Sequence, residues 1–212
     1  LSRDGLLLKK VYDKLRLLDC SLPISSYLYS SRRACNLPAF MKMDENFLSF
    51  VINGTSKIPV GVYLERIGIN PKKYSKIIKE YHFDDLNSIV ESENDYANLK
   101  KLFHNEKLCK DITLKATQEL EFIEGYFSQE GIYLQKKIPI VDIGWHGSIQ
   151  KSIETIIHRK DPDISVIGYY LGTHPPIQNH INNGLVCESF LCHAGNPKKI
   201  NNIIKDVYEL QQ

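Results

Sequence analysis

The chain has 212 residues, and its 27 Lys and Arg against 25 Asp and Glu leave a net charge of +2, which gives no ground for bulk nucleic-acid binding. That length suits one domain with a sizeable insertion and a real core. Five cysteines (Cys20, Cys35, Cys109, Cys187, Cys192) lie without CxxC spacing, so neither a zinc site nor a disulfide framework is read, and a reducing compartment is expected.

At the start, Leu1-Ser2-Arg3-Asp4-Gly5 reads as the exit of a strand begun upstream in a longer polypeptide, with Arg3-Asp4-Gly5 as the turn that follows. After Gly5, Leu7, Val11, Leu15 and Leu18 recur at helical spacing, with Lys9, Lys10, Asp13, Lys14 and Arg16 on the other side. Pro23 breaks the chain. Ile24–Ser30, rich in tyrosine and apolar residues, reads as a short strand running into Ser30-Ser31-Arg32-Arg33. Adjacent arginines at a strand end are costly to bury and suited to binding oxyanions; a solvated basic turn is the plainer alternative.

From Leu37 to about Gln129 the strand-like runs thin out and helical spacings take over. Helices are predicted over Asp44–Ile52 with Asp44 as cap, over Val60–Ile67 up to Gly68, and from Asn70-Pro71 through Ile78. A short element covers Asp84–Val90, and two longer helices cover Tyr96–Leu108 and Ile112–Phe127. We read residues 39–129 as a helical insertion on an α/β core formed by residues 1–38 and 130–212, with a separate small helical domain as the equal alternative.

The core resumes with Lys137-Ile138-Pro139-Ile140-Val141-Asp142, which turns through Ile143-Gly144-Trp145-His146-Gly147-Ser148 into a helix striped by Ile149, Ile153, Ile156 and Ile157. Pro139 predicts full strand pairing only after it. A strand, a glycine turn and a helix N-terminus make an anion site, because free N–H groups and the positive end of the helix dipole converge there. Gly144 and Gly147 would let a phosphate approach the main chain, Ser148 would cap the helix or donate its hydroxyl, and Asp142 would face the crevice at the strand's carboxyl end. Many such turns serve only to reverse the chain, and this one is neither a P-loop nor a GxGxxG turn. Ile164–Leu171, apolar throughout, predicts a strand buried on both faces. Weaker runs follow at Leu185–Cys187 and Ser189–Leu191, then a helix over Lys198–Leu210.

Three turns thus follow three predicted strands, and in a parallel sheet they would share one edge. Together they offer three arginines, one or two carboxylates and a helix start, a fitting set for a ligand with two phosphate groups and a sugar hydroxyl face.

Asp142-Ile143-Gly144-Trp145-His146-Gly147-Ser148 resembles the phosphoribosyltransferase signature, in which a strand and two acids lead through Thr-Gly-x-Thr into a helix. More closely, LSRDG, YLYSSRRA and VDIGWHGSIQ together resemble bacterial surface-polysaccharide proteins often labelled HAD-type hydrolases, over roughly residues 1–40 and 135–175. The resemblance implies a mostly parallel, Rossmann-like sheet of the type I phosphoribosyltransferase kind with a large helical insertion. It also implies a glycosyltransferase that moves 5-phosphoribose from phosphoribosyl pyrophosphate to a sugar hydroxyl of a growing surface polysaccharide. Gly144, Trp145, His146, Gly147 and Ser148 would bind the 5-phosphate. Arg3, Asp4, Gly5, Arg32 and Arg33 would bind the pyrophosphate, with Mg²⁺ as a candidate cofactor. Asp142 would hold the ribose hydroxyls or act as base, and His146 would take the acceptor's proton. Trp145 would stack on a sugar or wedge into the core. The implied partners are phosphoribosyl pyrophosphate, a lipid-linked acceptor glycan, and a HAD-type phosphatase domain in the same or a neighbouring polypeptide.

Two departures stand out. Ile143 occupies the place of the second acid, and the only Asp-x-Asp spacing, Asp161-Pro162-Asp163, precedes its strand, so the hydrolase label is not carried over. Tyr63, Tyr74, Tyr81 and Tyr96 of the insertion would shape an acceptor groove. The rival functions are a non-catalytic phospho-ligand-binding domain, a nucleobase phosphoribosyltransferase and a protein-interaction platform. No apolar run approaches the roughly 20 residues needed to span a bilayer. Arg3, Asp4, Lys9 and Lys10 interrupt any signal-peptide pattern. A cytoplasmic protein, peripheral at the inner membrane face, is the expected location.

Overall fold

The computed structural model describes residues 3–40, 43–52 and 57–192, without the side chains of residues 3, 4, 45, 46 and 49. Leu1, Ser2 and the helix predicted over Lys198–Leu210 lie outside the described residues. In chain order the elements are α1 (Arg3–Leu18), α2 (Arg32–Ala39), α3 (Glu45–Ile52), β1 (Ile58–Pro59), α4 (Val60–Arg66), α5 (Ile77–Glu80) and β2 (Ile89–Val90). Then come α6 (Glu93–Phe103), α7 (Glu106–Gln129), β3 (Lys137–Trp145), α8 (Ser148–Lys160), β4 (Ser165–Thr173), α9 (Ile177–Asn182) and β5 (Val186–Cys192). The protein is mixed α/β. It divides into two compact units, one built from the chain up to Cys35 and from Glu124 onward, the other from Asn36–Ile123.

The Asn36–Ile123 unit is helical apart from the short antiparallel pair β1–β2, which the hydrophobic periodicity does not reveal. Asp44 caps α3 by accepting from the Phe47 amide at 3.0 Å, and Gly68 ends the α4 stretch at φ 71°. The predicted break between residues 108 and 112 lies earlier, at His104–Asn105. There Asn105 accepts from the Leu108 amide at 3.2 Å and starts α7, so the chain reverses where a capping side chain exists rather than where the apolar pattern pauses. Tyr63 and Tyr74 are fully buried in the core with Phe47, Leu64, Leu99 and Phe103, and Tyr74 hydrogen-bonds Asp111. Tyr81 and Tyr96 pack against the same core. Tyr63 and Tyr74 are therefore packing residues rather than a sugar platform, whereas Tyr81 and Tyr96 are only partly buried.

In the other unit, β3, β4 and β5 form a parallel sheet in that order. Pairing of β3 already begins at Lys137 opposite Ser165, with Pro139 opposite Ile167. Proline is tolerated there because β3 is an edge strand of the described sheet. Both crossovers advance the same way across the sheet, and right-handed connections then put α8 and α9 on one face. Val166, Gly168 and Tyr170 are accordingly buried, whereas Val141, Tyr169 and Val186 on the opposite face are exposed. The expectation of a β4 buried on both faces is therefore not met among the described residues; its burial alternates.

The strand expected at Ile24–Ser30 is an extended segment without a ladder. Three hydrogen bonds hold the segment and its approach in place. Tyr12 Oη donates to the Pro23 carbonyl at 3.0 Å, Ser25 Oγ to Asp13 at 3.1 Å, and the Tyr29 amide to Tyr126 Oη at 2.8 Å.

Candidate functional site at the carboxyl edge of the sheet

Strand β3 runs farther than its sequence suggests. Gly144 pairs with Gly172 and Trp145 with Thr173, so both belong to the ladder and the turn shrinks to His146-Gly147. Gly144 holds φ 124°, and a Cβ there would collide with the Gly172 carbonyl oxygen. Its lack of a side chain therefore serves close strand contact rather than ligand approach. Gly147 holds φ 70° in the cap position of α8, and a Cβ there would press on Leu185 and Ile177 at 2.9–3.1 Å. Ser148 is the first helical residue, not the cap. Because Gly147 has no side chain to offer, no cap side chain meets the first-turn amides of Ser148, Ile149 and Gln150.

Asp142 lies three residues inside the strand end, opposite Tyr170 and on the face covered by α8. It is half-buried and accepts from the Ile143 amide at 2.8 Å. Its charge adds to burial in pushing the Tyr170 phenol up. Trp145 stacks on His174, with ring centroids 4.6 Å apart and planes 25° apart, so that face of the indole is taken. The His174 amide also donates to the Trp145 carbonyl at 2.8 Å, locking the ends of β3 and β4 together. His146 is exposed in the turn, 5.9 Å from His174 between ring centroids.

Sequence reasoning missed His174, His180 and Lys151, which build a basic cluster with His146 around the start of α8. Nothing in the local pattern marks them, because they come from the β4–α9 loop, from α9 and from the second turn of α8. Burial, followed by the nearby His146, holds the His174 imidazole below its ordinary value. Burial, then Lys151 and His146, does the same for His180. Lys151 is itself paired with the buried Glu154 at 2.8 Å, which offsets part of its charge.

These depressed values fix a sign. The folded state binds fewer protons than the unfolded state below the ordinary value of 6.5, so stability is lost as pH falls through that point. Chemical denaturation between about pH 7 and pH 5 should show this loss, and His174→Asn with His180→Asn should remove that part of the slope. An anion at the α8 start favours imidazolium. Sulfate, whose charge is constant over this range, should therefore stabilise the protein more at the acidic end than at neutral pH.

Gln150, at the end of the sequence motif, proves to be structural. Its amide nitrogen donates to the Val186 carbonyl at 2.8 Å and to the Val166 carbonyl at 3.3 Å, while its oxygen accepts from Tyr170 Oη at 2.7 Å. One buried side chain thereby ties α8 to β4 and β5, and Gly168 is small because a Cβ there would strike it. Gln150→Ala should cost about 3 kcal/mol in urea unfolding, from a small void plus the orphaned Tyr170 hydroxyl.

The two arginine-bearing segments are helix starts rather than the strand-end turns that the sequence suggests. Arg3, Asp4 and Gly5 form the first turn of α1 rather than a loop, and the side chains of Arg3 and Asp4 lie outside the description. Arg32 and Arg33 open α2 after the extended segment, Arg32 exposed and Arg33 half-buried. Asp161-Pro162-Asp163 sits ahead of β4, where Asp161 accepts from the Asp163 amide and pairs with Lys136 at 3.2 Å. Among the described residues, no group of three or more His, Cys, Asp and Glu is arranged to hold a metal, and no helix is long and apolar enough to cross a membrane.

The chain matches none of the known protein-family models and none of the curated proteins, so the meaning of this edge rests on its own geometry.

Proposed function

We propose that the protein is a phosphoribosyltransferase-type glycosyltransferase. It binds phosphoribosyl pyrophosphate with the 5-phosphate at the β3–α8 turn and passes 5-phosphoribose to a hydroxyl of a growing surface glycan. The observation that carries this reading is the start of α8: thirteen helical residues opened by a left-handed Gly147 without a cap side chain, beside His146 and His174. In this reading β3–β5 belong to a Rossmann-like sheet of the type I phosphoribosyltransferase kind.

The bond from the anomeric carbon to the pyrophosphate oxygen breaks, and a bond to the acceptor oxygen forms. The acceptor's proton passes to a base, Asp142 or His146. Chemistry through an oxocarbenium-like transition state needs the leaving group's charge neutralised more than it needs a strong nucleophile. Arg32 and Arg33, with Arg3, are the residues for that role. Mg²⁺, when bound, would neutralise the same charge. Asp142 is the carboxylate that would hold it, and with no group of three or more His, Cys, Asp and Glu arranged for a metal among the described residues, most of its ligands would be substrate oxygens and water, as this cation commonly accepts.

One observation favours a second reading, a non-catalytic phospho-ligand-binding domain. The lone carboxylate lies within the strand, engaged with the Ile143 amide. Incubation with phosphoribosyl pyrophosphate and candidate acceptor glycans separates the two. The transferase predicts acceptor-dependent release of pyrophosphate; tight binding with no release under any acceptor establishes the second reading.

A further inference from the structure

Helix α1 is turned the opposite way from the one its sequence suggests. Its half-buried side is Leu8, Lys9, Tyr12, Asp13 and Arg16, anchored by the Lys9–Asp13 ion pair at 2.6 Å and by Arg16 donating to the Leu22 carbonyl at 3.0 Å. The apolar positions Leu6, Leu7, Val11, Leu15, Leu17 and Leu18 are exposed, Leu7 by 61 %, Leu17 by 78 % and Leu18 by 87 %. Single exposed leucines need no explanation, but five with a valine on one sixteen-residue helix form a patch.

We infer that this face of α1 docks on an anionic lipid surface. Three observations select lipid over a protein partner. At about 100° per residue the six apolar side chains and Lys10 and Lys14 spread over roughly half the helix circumference, whereas a partner helix covers a stripe nearer 100° wide. A helix half-immersed at a membrane interface presents such a broad arc. By the same spacing Arg3 and Asp4 fall within the arc and offset each other, Lys10 and Lys14 leave it a net charge of +2, and Asp13 is held on the inner side by Lys9 and Ser25. Lysines can lift their ammonium groups to the headgroups while their stems lie along the leucines. Lys10, Val11, Lys14, Leu15 and Leu18 also line an open depression of about 400 Å³. A second copy fits worse, because an antiparallel pairing centred on the middle of the helix would set Lys10 against the other copy's Lys14, a like-charge arrangement. The inference rests on α1 alone and is independent of the transferase reading.

The experiment is cosedimentation of the full chain with vesicles of phosphatidylcholine mixed with phosphatidylglycerol and of phosphatidylcholine alone. Binding is expected to the mixed vesicles and not to the neutral ones. Lys10→Gln with Lys14→Gln should weaken it roughly 30-fold, at about one kcal/mol per surface lysine. Leu7→Asn with Leu15→Asn should bring it to background while circular dichroism stays unchanged. Failure to bind the mixed vesicles overturns the inference, as does binding that both variants leave intact. A dimer in gel filtration that the Leu7→Asn, Leu15→Asn variant dissociates would also overturn it, assigning the face to a second copy.

Discussion

Gly144→Ala should destabilise the α/β unit by about 4 kcal/mol, enough to lower the thermal midpoint by many degrees and to leave a large unfolded fraction. Two costs combine. The alanine must adopt φ 124°, in a region closed to L side chains, and its methyl group must displace the Gly172 carbonyl from the neighbouring strand. Because β3 and β4 pair directly at that point, relief requires the ladder to part, and with it the Trp145–His174 stack beyond. Gly125→Ala is the matched control. Gly125 lies in α7 with open space around it, so the same methyl should stabilise the helix by about 0.5–1 kcal/mol. If Gly144→Ala instead melts like the wild type and loses only ligand affinity, the glycine serves a bound phosphate and our account of the ladder is wrong.

Gly144 also shows what the sequence can and cannot disclose. A glycine between a strand and a helix reads as part of a turn, because nothing local records that a second glycine, Gly172, sits opposite it 28 residues later. The strand–turn–helix at β3–α8 was legible from the apolar run and the isoleucine stripe, and Ile164–Leu171 was legible as a strand from its unbroken apolar, β-branched and aromatic content. Ile24–Ser30 has the same propensity yet stays extended without a ladder among the described residues, its Tyr29 amide donating to the Tyr126 hydroxyl. The leucine stripe of α1 was legible, but not the side of the helix that faces the protein. Ion pairs and main-chain acceptors fix that side, and periodicity does not see them. Of the site, His146 and Gly147 could be found because they adjoin the motif. His174 and His180 could not, because a parallel crossover brings distant loops to one edge.

Asp142→Asn should lower kcat/KM for pyrophosphate release by roughly 10²–10⁴-fold while leaving the thermal midpoint within a degree or two. The amide keeps an oxygen that can still accept from the Ile143 N–H, so the local backbone bond survives and only the charge is lost. That isolates the chemistry from the fold. If the carboxylate holds the ribose hydroxyls or receives the acceptor's proton, the loss falls on turnover, and affinity for phosphoribosyl pyrophosphate changes by no more than several-fold. If the domain merely binds, there is no turnover to lose and the variant behaves as wild type in binding. His146→Asn divides the remaining question. Whichever of the two variants flattens the acidic limb of the kcat profile has removed the proton acceptor. A variant that raises KM alone has removed a group that positions the phosphate. The exposed His146 is open to a bulky acceptor, whereas the half-buried Asp142 is engaged within its own strand. The geometry therefore expects His146 to carry the proton and Asp142 to orient the sugar. The lone acid does not then need to serve both roles that a pair of carboxylates would share.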